Sequence, residues 1–460
     1  MINRIILIGN GFDLAHGLPT SYNDFIRNYW GNWAEKLNQS LRQKEEDGLC
    51  YFKLEVENFN RGDNLGIRQF VKKFSNGPLT ANCLSEISQS NNNPYDCKLW
   101  HRYISEFFKE INKAIKYKNW VDVEYEYYQM LKQIVDDNKL YSTPIKLDEE
   151  FDILKTKLQN YLSNIQKEQI KSTLVKGCIK NSIYESVRVE DISLYGKGLF
   201  EDSIENRLSE IQDTKGACIK SLLKKYGIPY SEYKSDIESY LDKIIDPDSI
   251  TPDYDEIYYD SEKHKQNITN GNVPDYFLLP SQILFLNFNY TKTADLYIPK
   301  GSEFMVNHIH GELDNEDNPI IFGYGDELDE NYKKISNLND NKYLGNIKSI
   351  RYLETENYRN LLSFIDSDPF QIYIMGHSCG NSDRTLLNTL FEHKNCISIK
   401  PFYYEKKDGT DNYIEIIQNI SRNFNDMRLM RDRVVNKTYC KPLVPKRARL
   451  KSHYGKYSLQ

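Results

Sequence analysis

The distribution of apolar runs along the chain constrains its fold more than any other feature. Ile5 to Ile8 is a short run ending at Gly9, the pattern of a buried strand, because β-branched side chains favour pleated backbone and glycine interrupts it. Comparable runs return only far downstream, at Ile283 to Phe288, Phe304 to Ile309, Ile320 to Phe322, Phe370 to Met375 and Cys396 to Tyr404. Over two hundred residues lie between the first run and the others, and there the apolar positions recur at helical spacing. Examples are Ile104, Phe107, Phe108, Ile111 and Ile115, then Phe151, Leu154, Leu158, Tyr161, Leu162 and Ile165, then Ile237, Tyr240, Leu241, Ile244 and Ile245. Ile204, Leu208 and Ile211 repeat the pattern, with Asp202 and Glu205 spaced as a helix entry. Such stripes read as core-facing.

The expected fold is therefore α/β, a Rossmann-type mainly parallel sheet with a large helical insertion. The sheet domain is discontinuous, over 1–30 and 281–435. Residues 31–280 form the mostly helical insertion, expected as a separate layer, and 436–460 a basic C-terminal tail. The Asn-rich segment Asn91 to Pro94 and the acidic segment Asp246 to Glu256 read as breakers within the insertion.

Composition narrows the function classes. A formal net charge of -6 offers no general attraction to nucleic acid or an anionic membrane. The tail after Val444, PKRARLKSHYGKY, reads as a solvated terminus or a local contact for a polyanion. No apolar run approaches the roughly 20 residues that cross a bilayer, and the chain opens on a strand pattern without a charged leader. A soluble, cytoplasmic protein is expected. The eight cysteines are scattered with no CxxC pair, so free thiols are expected. Only Cys379 lies inside a motif, where it is open to a nucleophile reading.

The strongest local signal is GNGFDLAHGLPTSY from Gly9 to Tyr22. Gly9, Asn10 and Gly11 follow a strand, and glycines there allow a tight turn and close backbone approach to a phosphate at a helix start. The ordinary dinucleotide fingerprint is absent, since Leu14 stands at its third glycine. Three further strands end in polar residues: Asn289 in LFLNFNYT, His310 and Gly311 in MVNHIHGEL, and Gly376, His377 and Ser378 in YIMGHSCGNSD, with Asp383 beyond. Ligands of parallel α/β sheets bind outside the carboxyl ends of the strands, so these four ends are expected around one crevice. Period two puts Asn287 with Asn289, and His308 with His310, on one face. Each residue also has a plainer role. A strand-end His or Asn satisfies turn backbone, Asp13 and His16 are placed to cap the first helix, and Asp383 the helix carrying Leu386, Leu387 and Leu390.

The set GNGFDLAHGLPTSY, FNYT, HIHGEL and GHSxxxxD resembles the AbiH family of bacterial abortive-infection proteins, over about residues 1–30 and 280–440. That family is similar in pattern to the sirtuin superfamily, with its GAGxS, GIP, TxNxD, HG and late GxS motifs. The resemblance implies an NAD site in which Gly9, Asn10, Gly11, Phe12, Asp13, Gly17 and Pro19 form the cofactor loop. It assigns Asn289 and His310 to catalysis, and Gly311, Gly376, His377, Ser378 and Asp383 to further cofactor contacts. Among the departures from the pattern, Asp13 replaces the serine of GAGxS, and Thr291 the aspartate of TxNxD. The paired cysteines of a sirtuin zinc module are absent, so no metal is expected and deacylation is a poor fit.

The function expected from these motifs is cleavage of NAD to nicotinamide and ADP-ribose in phage defence. An imidazole with an ordinary pKa of about 6.5 suits a general base, and an asparagine suits orientation of water. A second reading is a non-catalytic sensor of NAD, ADP-ribose or a related nucleotide, signalling through the insertion to another copy or a defence partner. A third takes His308 and His310 as a metal pair with Asp13, Asp326 or Asp383, giving a hydrolase or nuclease.

Overall fold

The computed structural model describes residues 1–40, 44–56, 97–118, 122–136, 143–232, 234–245, 266–267, 269–271, 273–325 and 327–446. The two breaker segments, Asp326 and the tail from 447 onward lie outside the described residues. Contacts divide the chain into two units. The first comprises Met1–Gly17, Gln169–Ile320 and Tyr352–Gln460, the second Leu18–Glu168 and Ile321–Arg351. Residues 31–280 are thus shared between the two units.

The first unit is built on five strands, β1 (Asn3–Ile8), β2 (Ile283–Asn287), β3 (Met305–His308), β4 (Phe370–Met375) and β5 (Cys396–Phe402). They pair in the order β3-β2-β1-β4-β5, and every pairing is parallel. The chain passes outward from β1 through β2 to β3, then returns to β4 on the other side of β1. A topological switch point therefore lies between β1 and β4, the place where open α/β sheets bind ligands. Parallel strands buried on both faces read as continuous apolar runs, which is why β1, β2, β4 and β5 were visible in the sequence.

One sheet face carries a core by period-two alternation. Ile6 and Ile8 of β1, Ile283 and Phe285 of β2, Tyr373 and Met375 of β4 and Ile397 of β5 join Ile179, Ile183, Phe200, Ile204, Ile211 and Leu223. The helices Gly177–Ile183, Lys197–Thr214, Ala217–Lys225 and Lys234–Ile245 belong to this layer. The second half of the expected insertion is in this way a packing layer of the sheet. Lys197–Thr214 starts at Gly196, more than a turn before Asp202, so Asp202 and Glu205 are helix-interior residues and not its entry.

The second unit contains the helices Tyr22–Ser40, Glu106–Lys118, Val123–Val135 and Pro144–Gln169, the last reaching one residue past its boundary. Phe107, Phe108, Ile111 and Ile115 are buried, as are Phe151, Leu154, Leu158, Leu162 and Ile165, so those two stripes face a core. Three strands missed by the sequence reading, Lys44–Glu46, Cys50–Val56 and Cys97–Tyr103, pair antiparallel in the order of their sequence. Ile320 to Phe322 is buried but is not a strand. Phe322 instead stacks on Phe151 at 4.6 Å, and a Cβ on the following Gly323 would lie 2.1 Å from the Asn346 carbonyl oxygen. No helix among the described residues is long and apolar enough to cross a membrane.

Candidate functional site

The carboxyl ends of β1, β2, β3 and β4 are joined by direct contacts within the first unit. After β1 the chain turns at Gly9 into a six-residue helix, α1 (Asn10–Ala15). The Gly11 amide donates to the Gly376 carbonyl at 2.8 Å, and the Phe12 amide to the Gly9 carbonyl at 2.8 Å. Two of the amides expected to meet a phosphate are thus engaged inside the protein. The glycines here serve close packing of two loops. A Cβ on Gly9 would lie 2.5 Å from His377 Cα, one on Gly11 2.7 Å from the Gly376 carbonyl oxygen, and one on Gly376 2.0 Å from the Phe12 nitrogen. Gly376 also has a φ of 84°, which an L side chain adopts only at a cost.

Asn289 links the second strand end to the first, its side-chain amide donating to the Gly9 carbonyl at 3.0 Å. Asn287 is fully buried and closes the turn: its Oδ1 accepts from the Asn289 amide at 3.0 Å, and its Nδ2 donates to the Thr291 carbonyl at 3.0 Å. Thr291 then donates its hydroxyl to Asp13 Oδ2 at 2.6 Å. Asp13 is 1% exposed and its Oδ1 has no hydrogen-bond partner. Burial pushes its carboxyl up to about 6, opposed by the Thr291 hydrogen bond and the nearby polar side chains of Thr293 and Asn289. Asp13 is therefore not a cap of α1.

His16 does cap α1, at its carboxyl end, where its amide donates to the Asp13 carbonyl at 2.9 Å. Its Nδ1 lies 2.7 Å from the Phe12 carbonyl and its Nε2 2.6 Å from the Tyr297 hydroxyl, which itself accepts from the Lys176 amide. That chain of bonds assigns the proton to Nδ1. Burial lowers the imidazole to about 4, so His16 is a neutral packing group.

His310 and Asp383 meet at the ends of β3 and β4. Asp383 Oδ1 lies 3.2 Å from His310 Nε2, and Oδ2 lies 3.5 Å from His377 Nε2. His377 Nδ1 accepts from the Cys379 amide at 3.0 Å, which leaves the proton on Nε2, pointing at the carboxylate. The Tyr352 hydroxyl lies 3.1 Å from His310 Nε2, and Phe288 contacts both imidazoles, with ring centroids 5.0 Å from His310 and 4.2 Å from His377. Asp383 occupies the N-cap position of Arg384–Phe391 but makes no side-chain cap bond. Its carboxylate serves the histidines.

His308 and His310 do not act as a pair, which corrects the one-face expectation. The strand ends at His308, whose Nδ1 faces Asn287 and whose Nε2 lies 3.3 Å from Asp295, whereas His310 engages Asp383. Among the described residues no group of three or more His, Cys, Asp or Glu is arranged to hold a metal ion.

The remaining expected residues differ in exposure and in their contacts. Asn10 and Ser378 are exposed, Phe12 is a core residue, and Gly17 sits at a φ of 84° beyond α1. Gly311, with a φ of 81°, turns the chain against Pro319. Pro19 belongs to the second unit, where its carbonyl accepts from the Tyr161 hydroxyl. Burial pushes the Cys379 thiol far up, so it is not an activated nucleophile. Sequence reasoning missed Thr293, Phe288 and Tyr352. Phe288 opens the FNYT motif and Thr293 lies two residues past it, so both were findable from it, whereas Tyr352 follows no motif.

These contacts define an α/β protein with a five-stranded, all-parallel sheet and a histidine–aspartate pair at the carboxyl ends of its strands. The profile of the family described as "Bacteriophage abortive infection AbiH" matches residues 5–206 and 197–404. The chain belongs to the AbiH family. No curated protein and no solved structure shows a significant match to it.

Proposed function

We propose that this AbiH protein binds NAD at the carboxyl edge of its parallel sheet and hydrolyses it to nicotinamide and ADP-ribose during abortive infection. The observation that supports this most is the contact of His310 with Asp383, in line with the base-and-orienting-acid arrangement that activates a nucleophile. With Nε2 facing both Asp383 and the Tyr352 hydroxyl, the proton belongs on Nε2 and the basic lone pair on Nδ1. In the reaction the bond between the ribose C1′ and the nicotinamide nitrogen breaks, and nicotinamide leaves with the electron pair. The oxygen of a water bonds to C1′, and His310 takes the water's proton. Asp383 offsets the charge of the imidazolium that results. Asn289, half-buried beside Gly9, is the neighbour suited to orient that water.

His310 is 3% exposed, so substrate must displace a covering group. The test is incubation of purified protein with NAD and chromatographic detection of nicotinamide and ADP-ribose, with His310→Ala as control. Equal cleavage by the two proteins overturns the hydrolase reading. Binding of NAD without cleavage under activating conditions leaves the nucleotide sensor in its place.

A further inference from the structure

Two of the departures from the sirtuin-like motifs touch one another. Asp13 stands where GAGxS has a hydroxyl, Thr291 stands where TxNxD has a carboxylate, and the Thr291 hydroxyl donates to Asp13 at 2.6 Å. Either departure alone leaves two carboxylates or two hydroxyls at this contact. Together they keep one of each, with the carboxylate moved from the end of β2 to the start of α1. Both side chains are buried, at 1% and 2% exposure, and Asp13 Oδ1 is without a partner. A buried carboxylate oxygen in that state is costly until a donor reaches it. It repels a phosphate and accepts from a hydroxyl.

We infer that Asp13 and Thr291 form a transposed carboxylate–hydroxyl pair whose free oxygen accepts a hydrogen bond from a sugar hydroxyl of the bound nucleotide. The inference rests on the nucleotide reading above and adds to it the chemistry of one subsite. Thr291 holds Oδ2 and fixes the carboxylate plane, while Oδ1 takes the ligand's donor. The turn at Gly9 to Asp13 in this account reads the sugar and not the pyrophosphate. That agrees with the use of the Gly11 and Phe12 amides inside the protein.

The experiment measures ADP-ribose binding by calorimetry, and thermal unfolding, for four full-length variants: Asp13→Ser, Thr291→Asp, the two combined, and Asp13→Asn. Each single exchange is expected to weaken binding at least about tenfold, the loss of one charge-assisted hydrogen bond. The combined exchange is expected to recover both affinity and melting temperature. Asp13→Asn keeps an acceptor for Thr291 and so folds, yet turns a donor toward the ligand's donor, and should also lose about tenfold. Wild-type binding with no recovery in the combined variant overturns the pair alone, as does recovery of melting temperature without affinity. A wild-type protein that takes up no ADP-ribose overturns the nucleotide reading and the ligand role of the pair with it.

Discussion

Asp383 Oδ1 lies 3.2 Å from His310 Nε2, bringing residues from the ends of two strands that are not neighbours in the sheet into one pair. Asp383→Asn keeps the shape and removes the negative charge that favours a protonated His310. Loss of a positioned general base costs about 10² to 10⁴ in rate. His310→Ala is expected to lose NAD cleavage by that factor, and Asp383→Asn to fall in kcat with KM nearly unchanged. Steady-state kinetics on the two variants check this, and an Asp383→Asn enzyme with wild-type kcat contradicts it.

Asn289→Ala should lose stability as well as activity, because Asn289 ties the end of β2 to the Gly9 carbonyl. One net hydrogen bond is worth about 1 kcal/mol. A drop of that size in denaturant unfolding, alongside lost cleavage, is the expected outcome. Unchanged stability removes the tie from the account.

Two glycines with the same φ of 84° should respond differently to alanine. Gly17 has nothing within 4 Å of an added Cβ, so Gly17→Ala carries only the left-handed strain of about 1–2 kcal/mol. At Gly376 the added carbon would lie 2.0 Å from the Phe12 nitrogen. Gly376→Ala is expected to cost roughly 2–4 kcal/mol or more through that clash added to the strain. Thermal unfolding of the two variants side by side gives the comparison, and equal losses refute the close loop packing.

Two buried groups should oppose one another in acid. The His16 imidazole is lowered to about 4 from 6.5, so the unfolded chain takes up its proton first. Stability from His16 is complete above pH 6.5 and is lost as pH falls toward 4, on the order of 3 kcal/mol. The Asp13 carboxyl is raised to about 6 from 3.8, so the folded chain takes up its proton first. Its ionisation destabilises the fold at neutral pH, and on the order of 3 kcal/mol returns as pH falls from 6 to 3.8. The two slopes oppose one another in the wild type. Asp13→Asn should expose acid sensitivity and His16→Phe acid stabilisation, read from melting temperatures between pH 4 and 7. Parallel pH profiles for the two variants exclude this balance.

The apolar runs of β1, β2, β4 and β5 were legible in the sequence because a strand buried on both faces is made mostly of apolar residues. The polar residues after them stood out for the same reason, so Gly9, Asn289, His310 and Gly376 could be placed at strand ends before any fold was known. Local pattern carried no information about which strand end meets which. Asp13 and Asp383 were each compatible with capping a helix, and both instead bond across the sheet, Asp13 to Thr291 and Asp383 to two histidines. The short strands from Lys44 to Tyr103 were hidden because antiparallel pairing at this length leaves no long apolar run. Tyr352 had no signal at all, since its place beside His310 is set by how the chain re-enters the first unit. Burial is a local property, and a single sequence records it. Contacts between strand ends depend on the order of the strands in the sheet, and only the tertiary structure decided that order.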